Sequence, residues 1–216
     1  MNRANFRKTT LGRLLRYPSA QIGLALVLIY VIVALFAGVL APYSPIEQHA
    51  KDRLLAPGGT YWLGTDEFGR DILSRLMHGA TNSLRVAILA VIFACTLGTA
   101  FGMIAGYTGG LFDNVIMRVM DLFFAFPAIL LALTIVAALG PGAGNTILAI
   151  AVVYTPIFAR VARGPVLSLK QMEFVEAARA TGARSPRILL RHILPNAIAP
   201  IIVQISPTRV RAKSAR

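Results

Sequence analysis

Hydrophobic positions in this chain come in long blocks, not in alternation. Residues 22–41 are 20 consecutive uncharged residues, residues 86–107 form a second apolar block, and residues 122–158 run 37 positions without a charge. A helix rising about 1.5 Å per residue needs roughly 20 apolar residues to cross a hydrocarbon core of about 30 Å. The first two blocks have that length. The third is too long for one crossing, and the turn sequence GPGAGN at 140–145 divides it. The pattern therefore predicts four complete membrane spans, at 22–41, 86–107, 122–139 and 146–161. Pro127 and Pro156 stand as kink positions in the last two.

The polar segments between these blocks have different characters. Residues 1–20 are basic, with Leu11, Leu14 and Leu15 giving an amphipathic flavour suited to a lipid surface. Residues 42–85 open irregularly with Pro42, Pro45, Pro57, Gly58 and Gly59. Thr65 then suits a capped turn and Asp71 a helix start. Ile72, Leu76 and Gly79 share a face, flanked by Arg75 and His78, which predicts an amphipathic helix at the outer interface with Tyr61 and Trp62 at headgroup level. In the second span Gly98, Gly102 and Gly106 recur every four residues, a small-residue stripe that lets a neighbouring helix approach closely. Residues 108–121 are a short inner connection, where Asp113, Arg118 and Asp121 are placed either to pair with one another or to meet the segment that follows the fourth span.

That segment, residues 168–196, reads SLKQMEFVEAARATGARSPRILLRHILPN. Ser168 with Gln171 fits a capping box at a helix start. Gly182 supplies a residue able to take the left-handed conformation that closes a helix. Ser185-Pro186 restarts one, and Pro195 ends it. Ile188, Leu189, His192 and Ile193 fall on one face of the second helix, with Arg184, Arg187 and Arg191 largely on another. The product is a helical elbow with a greasy side and a basic side.

Composition agrees with the blocks: 56% of the 216 residues are apolar and 14% charged. A net charge of +13 raises the possibility of nucleic-acid binding, but the charge is segregated by segment. Residues 1–20 carry +5, 42–85 carry 0, 108–121 carry −1, 160–196 carry +5 and the tail +4. This alternation follows the positive-inside rule, so the chain is multi-pass with a cytoplasmic N-terminus and no nucleic-acid partner. A secretory signal is excluded by the length of the first block and by the spans behind it. Cys95, the single cysteine, forms no intrachain disulfide and is expected to be a packing residue. His49, Asp66, Glu67, Asp71 and His78 lack fixed ligand spacing, and no metal, cofactor or catalytic group is expected among them.

The order Glu176-Ala177-Ala178, then Gly182, His192, Leu194 and Pro195 resembles the cytoplasmic coupling loop of ABC importer permeases. The wording EFVEAARATGA with RHILPN, and LGTDEFGRDILSR at 63–75, is most similar to the dipeptide/oligopeptide/nickel branch, which often carries His where His192 stands. That branch usually has Arg at the position of Thr81. The resemblance covers roughly residues 10–204. It implies that the elbow docks on ABC ATPase subunits, that a second homologous permease subunit and an extracytoplasmic substrate-binding protein complete the assembly, and that the chain sits in a bacterial inner membrane. It also implies two further spans beyond Leu194-Pro195-Asn196, whereas residues 197–207 are too short to cross and a basic tail follows. The chain is thus expected to be a C-terminally truncated or frame-shifted member with an incomplete fifth span at 197–216. With no G-x-x-x-x-G-K-[ST] stretch, ATP chemistry falls to partners. The alternatives are an inactive membrane remnant and an intramembrane enzyme. The latter needs paired acids or Ser with His inside spans, where these four spans carry no acid and no His.

Overall fold

The computed structural model describes residues 17–205, and their regular structure is helical. Extended pairing among the described residues is limited to an isolated bridge between Thr65 and Asp71. The expectations for residues 1–16 and 206–216 lie outside the described residues. The chain divides into two compact units, Met1–Arg85 and Val86–Arg216.

In the first unit, α1 runs Pro18–Leu40, entered by a proline at its first turn, where the missing N–H costs no helical bond. Ala34 and Ala37 are its buried face. The segment after it is irregular apart from the 3-10 turn Ala50–Asp52. It closes on itself at Gly69, whose φ is +73° and whose missing Cβ leaves room for the His49 backbone. A longer helix, α2, starts in this unit at Ile72 and ends in the second at Thr108. Asp71 caps it, accepting the Ser74 N–H at 2.8 Å and the Ser74 hydroxyl at 2.6 Å. Thr81 donates to the Ala34 carbonyl at 2.6 Å and Ser74 accepts the Tyr43 N–H at 3.1 Å, so α1 and the first turns of α2 are stitched together.

In the second unit α2 continues and is followed by α3 (Gly110–Phe124), α4 (Ala128–Leu139) and α5 (Ala143–Leu169). After these come α6 (Glu173–Ala180), the short α7 (Ser185–Arg187), a π-helical stretch Ile188–Ile193 and α8 (Leu194–Ile205). Gly98, Gly102 and Gly106 lie against α5. A Cβ at Gly98 would stand 2.6 Å from Phe158 Cβ, one at Gly102 2.9 Å from the Ala159 carbonyl carbon, and one at Gly106 3.0 Å from Val166 Cβ. Backbone meets backbone along this seam, the close approach that small residues permit. Beside it Ala94, Ala151, Phe158, Ala162 and Ile201 form a buried apolar cluster.

Several expectations are corrected. The interfacial helix after Asp71 and the span at 86–107 are one continuous helix, since nothing between Ile72 and Thr108 breaks it and no proline intervenes. The inner connection at 108–121 is itself helical, as α3. The third span is no kinked rod over 122–139. Its first residues belong to α3, and α3 and α4 meet at 92° around Pro127, whose ring cannot continue the preceding helix. The helix that holds the fourth expected span, α5, runs on past 161 to Leu169 through Pro156 and Pro165. Three helices (α1, α2, α5) are long and apolar enough to cross a membrane among the described residues, or four crossings if the bent pair counts as one.

Candidate functional site: the elbow after α5

The polar segment is built on the end of α5. That helix does not stop where its arginines begin. Arg163 extends to Asp113 of α3 in a two-pronged pair, Nε to Oδ1 at 2.7 Å and the second guanidinium nitrogen to Oδ2 at 2.6 Å, while Arg160 reaches Asp121 at 2.6 Å. These are strong charge-assisted contacts. The acids of 108–121 thus find partners 50 and 39 residues away instead of pairing within their own segment. Arg118 makes no hydrogen bond or ion pair among the described residues.

Ser168 lies in the last turn of α5, so the capping box is misplaced. α6 starts after Met172 without a side-chain cap. The turn between is tied down by Lys170, whose ammonium donates to the Gly106 carbonyl at 2.8 Å. α6 closes on Gly182 at φ +80°. The Ala183 N–H reaches the Ala178 carbonyl at 3.0 Å and the Gly182 N–H the Arg179 carbonyl at 2.9 Å, the paired bonds of a Schellman ending. Pro186 sits in the first turn of α7, where its ring is tolerated.

Pro195 does not end the helix. The backbone widens ahead of it to the π form, with the Leu194 N–H bonding the Leu189 carbonyl, five residues back. Widening relieves the clash that a proline ring makes with the preceding turn. Asn196 donates its side-chain N–H to the His192 carbonyl at 2.7 Å. Pro200 likewise lies within α8 instead of interrupting it.

The elbow is held by its own core. Val175 and Ala178 of α6 pack with Ile188 and Ile193 of the π stretch, Val166 of α5 and Met103 of α2. Ile188, Ile193, Val166 and Val175 are at most 1% exposed. Each such side chain contributes about 1.5–3 kcal/mol by leaving water. Of the residues singled out from sequence, Glu176, Ala177, Gly182 and Pro195 are exposed, Ala178 is buried, and His192 and Leu194 are half-buried. Ala177, Gly182 and His192, with Phe174, Arg187 and Arg191, line an open groove of about 610 Å³. No side chain of ordinary bulk obstructs Gly182: a Cβ there would meet nothing within 4 Å. The elbow's surface is therefore small-residue, basic on one rim and acidic at Glu176.

In the first unit Asp52, Asp66, Asp71 and His78 are hydrogen-bonded within the unit, whereas His49 Nε2 is buried without a hydrogen-bond partner. Asp66 accepts the Phe68 and Arg70 N–H groups at 2.9 and 3.0 Å, Arg70 Nε at 2.8 Å, and Arg75. Burial pushes its pKa up, but these donors outweigh it and hold the carboxyl at about 2. Burial, together with the hydrogen bond to Asp52 at 3.0 Å, pushes the Tyr61 phenol up to about 12. Among the described residues no group of three His, Cys, Asp or Glu is arranged to hold a metal.

The sequence matches the family described as "binding-protein-dependent transport system inner membrane component" over residues 98–208, and residues 5–57 match the N-terminal TM domain of oligopeptide transport permease C. It is 47% identical over 185 residues to a dipeptide transport system permease protein of Alkalihalophilus pseudofirmus, covering 86% of this chain and 61% of that one. It is 42% identical over 195 residues to a glutathione transport system permease protein of Pectobacterium atrosepticum (90% and 65%), and 44% identical over 192 residues to one of Escherichia coli (88% and 63%). The chain spans somewhat less than two thirds of the length of these relatives.

Proposed function

Since the chain belongs to the binding-protein-dependent transport system inner membrane components, we propose that it acts as a permease subunit of an ATP-driven importer of small peptides. The names of its relatives, dipeptide and glutathione permeases, favour a peptide cargo over the nickel complexes also carried by the wider branch. In this reading the elbow faces the cytosol and docks on an ABC ATPase subunit. A second homologous permease completes the pathway, and an extracytoplasmic binding protein delivers substrate.

The observation that carries the proposal is the elbow's construction: exposed Glu176, Ala177 and Gly182 stand on a buried core shared with α2 and α5. Alanine and glycine admit a partner surface to backbone distance, and a carboxylate at the rim pairs with a basic residue of that partner. Because Val175, Ala178, Ile188 and Ile193 interlock with Val166 and Met103, a push on the elbow is delivered to the membrane helices without slack. The bias between inward- and outward-facing states then comes from nucleotide binding on the partner.

The test is co-purification of the full chain with its cognate ATPase subunit. Glu176→Ala and Gly182→Val should each lower recovery of the complex, the second through a strained left-handed backbone as well as added bulk. Undiminished recovery with both variants would overturn docking through the elbow. Labelling of a cysteine at position 182 from outside intact cells would overturn its cytosolic placement.

A further inference from the structure

We propose that α3 lies in the plane of the bilayer surface as an interfacial helix, with one apolar face in the lipid, instead of forming the first half of a membrane crossing. At about 100° per residue, Leu111, Leu122, Val115, Val119 and Phe112 fall within an arc of about 100°. All five are exposed, Leu111 at 77% and Phe112 at 71%. The opposite side holds the buried Asp113 and Met120. Asp113 is locked to Arg163, and Asp121, between that side and the stripe, to Arg160. The protein is thus satisfied on one face of α3 and leaves the other, wholly apolar, uncovered.

Lipid is the occupant that fits. α3 meets α4 at 92°, and α4 is uncharged, its one hydroxyl (Thr134) bonded to the Leu130 carbonyl of its own helix, and packs against α5. If α4 follows the bilayer normal, α3 runs along the surface. Were α3 instead to cross, Asp113, Arg118 and Asp121 would be carried into hydrocarbon, where ionisable groups are costly. The lengths also close. α4 is about 18 Å long, and an interfacial helix sinks about 5–10 Å into the headgroup and acyl boundary. With the residues that join α4 to its neighbours, this makes up a core of about 30 Å. Arg118, on the edge of the apolar stripe and without a protein partner among the described residues, is placed to meet lipid phosphate.

The test uses the full chain with Cys95→Ala, reconstituted in vesicles of phosphatidylethanolamine and phosphatidylglycerol. Single cysteines at Phe112, Val115, Val119 and Asn114 carry a nitroxide, and power saturation compares access of oxygen with that of a water-soluble nickel chelate. The three stripe positions should favour oxygen and report one common depth, and Asn114 should favour the chelate. Depth that increases steadily from 112 to 119 would make α3 part of a crossing. Chelate access along the stripe would make it a water-exposed helix, and low access to both probes would mean that a second polypeptide covers it. Each of these three results overturns the proposal. Because all four substituted side chains are exposed, the labels should be accommodated; a leucine-to-cysteine label at 111 provides a fourth stripe position if one variant misfolds.

Discussion

Replacing Gly102 by alanine adds a single methyl group at the tightest point of the α2–α5 seam. The new Cβ would lie 2.9 Å from the Ala159 carbonyl carbon and 3.0 Å from its Cα, and closer still to the carbonyl oxygen. These are backbone atoms, so no side-chain rotation relieves the clash and the two helices must part. Overpacking of this kind costs about 1–3 kcal/mol. Alanine also gains about 1 kcal/mol over glycine in a helix interior, which would obscure the cost if the variant were read alone. Gly79→Ala supplies the correction: it lies in the same helix, is exposed, and a Cβ there meets nothing within 4 Å. Both variants collect the propensity gain, and only Gly102→Ala collects the clash. For a chain of this size about 1 kcal/mol shifts the midpoint by roughly 2–4 °C. Gly102→Ala should therefore melt roughly 2–12 °C below Gly79→Ala when both are followed in detergent by differential scanning fluorimetry. Equal midpoints, or a higher one for Gly102→Ala, would refute close backbone packing at this seam.

Three further outcomes follow from other contacts. Removing one partner of the Arg163–Asp113 pair, as Asp113→Asn or Arg163→Met, should destabilise by about 1–3 kcal/mol, because a half-buried charge is left without its partner. The double variant should recover part of that loss, and a thermal double-mutant cycle with zero coupling would contradict the pair. In the first unit Asp66 has a folded pKa of about 2, below the ordinary carboxyl value of 3.8. Its contribution is present above about pH 4 and disappears as pH falls through about 2, so Trp62 fluorescence should change over that window and not in Asp66→Asn. Tyr61 runs the other way: its phenol, raised from 10.0 to about 12, holds the loop while protonated. Difference absorbance against Tyr61→Phe should show its phenol titrating near pH 12.

The blocks of apolar residues already specified a helical membrane protein, because a bilayer admits no lipid-exposed irregular backbone and about 20 such residues match its thickness. The family was legible through the resemblance carried by Glu176-Ala177-Ala178, Gly182 and Leu194-Pro195. The left-handed glycine is also legible locally: position 182 takes φ +80° and completes a helix ending that only nearby residues build. The four-residue recurrence of Gly98, Gly102 and Gly106 likewise declares a face by helix geometry alone. What that face meets is another matter. Ala159 is 57 positions beyond Gly102, and no local rule names it. The same holds for Asp113 with Arg163 and Asp121 with Arg160, where the crossing of α3 over α5 decides the pairing. Breakpoints were the least legible, because a proline reports only that its own N–H is missing. At Pro127 the chain turns through 92°, whereas at Pro156, Pro165 and Pro195 it remains helical, in the last case by widening to a π turn. The packing of the flanking helices selects between those responses, as where the buried Ile188 and Ile193 hold the chain just ahead of Pro195, and that is set by the tertiary structure.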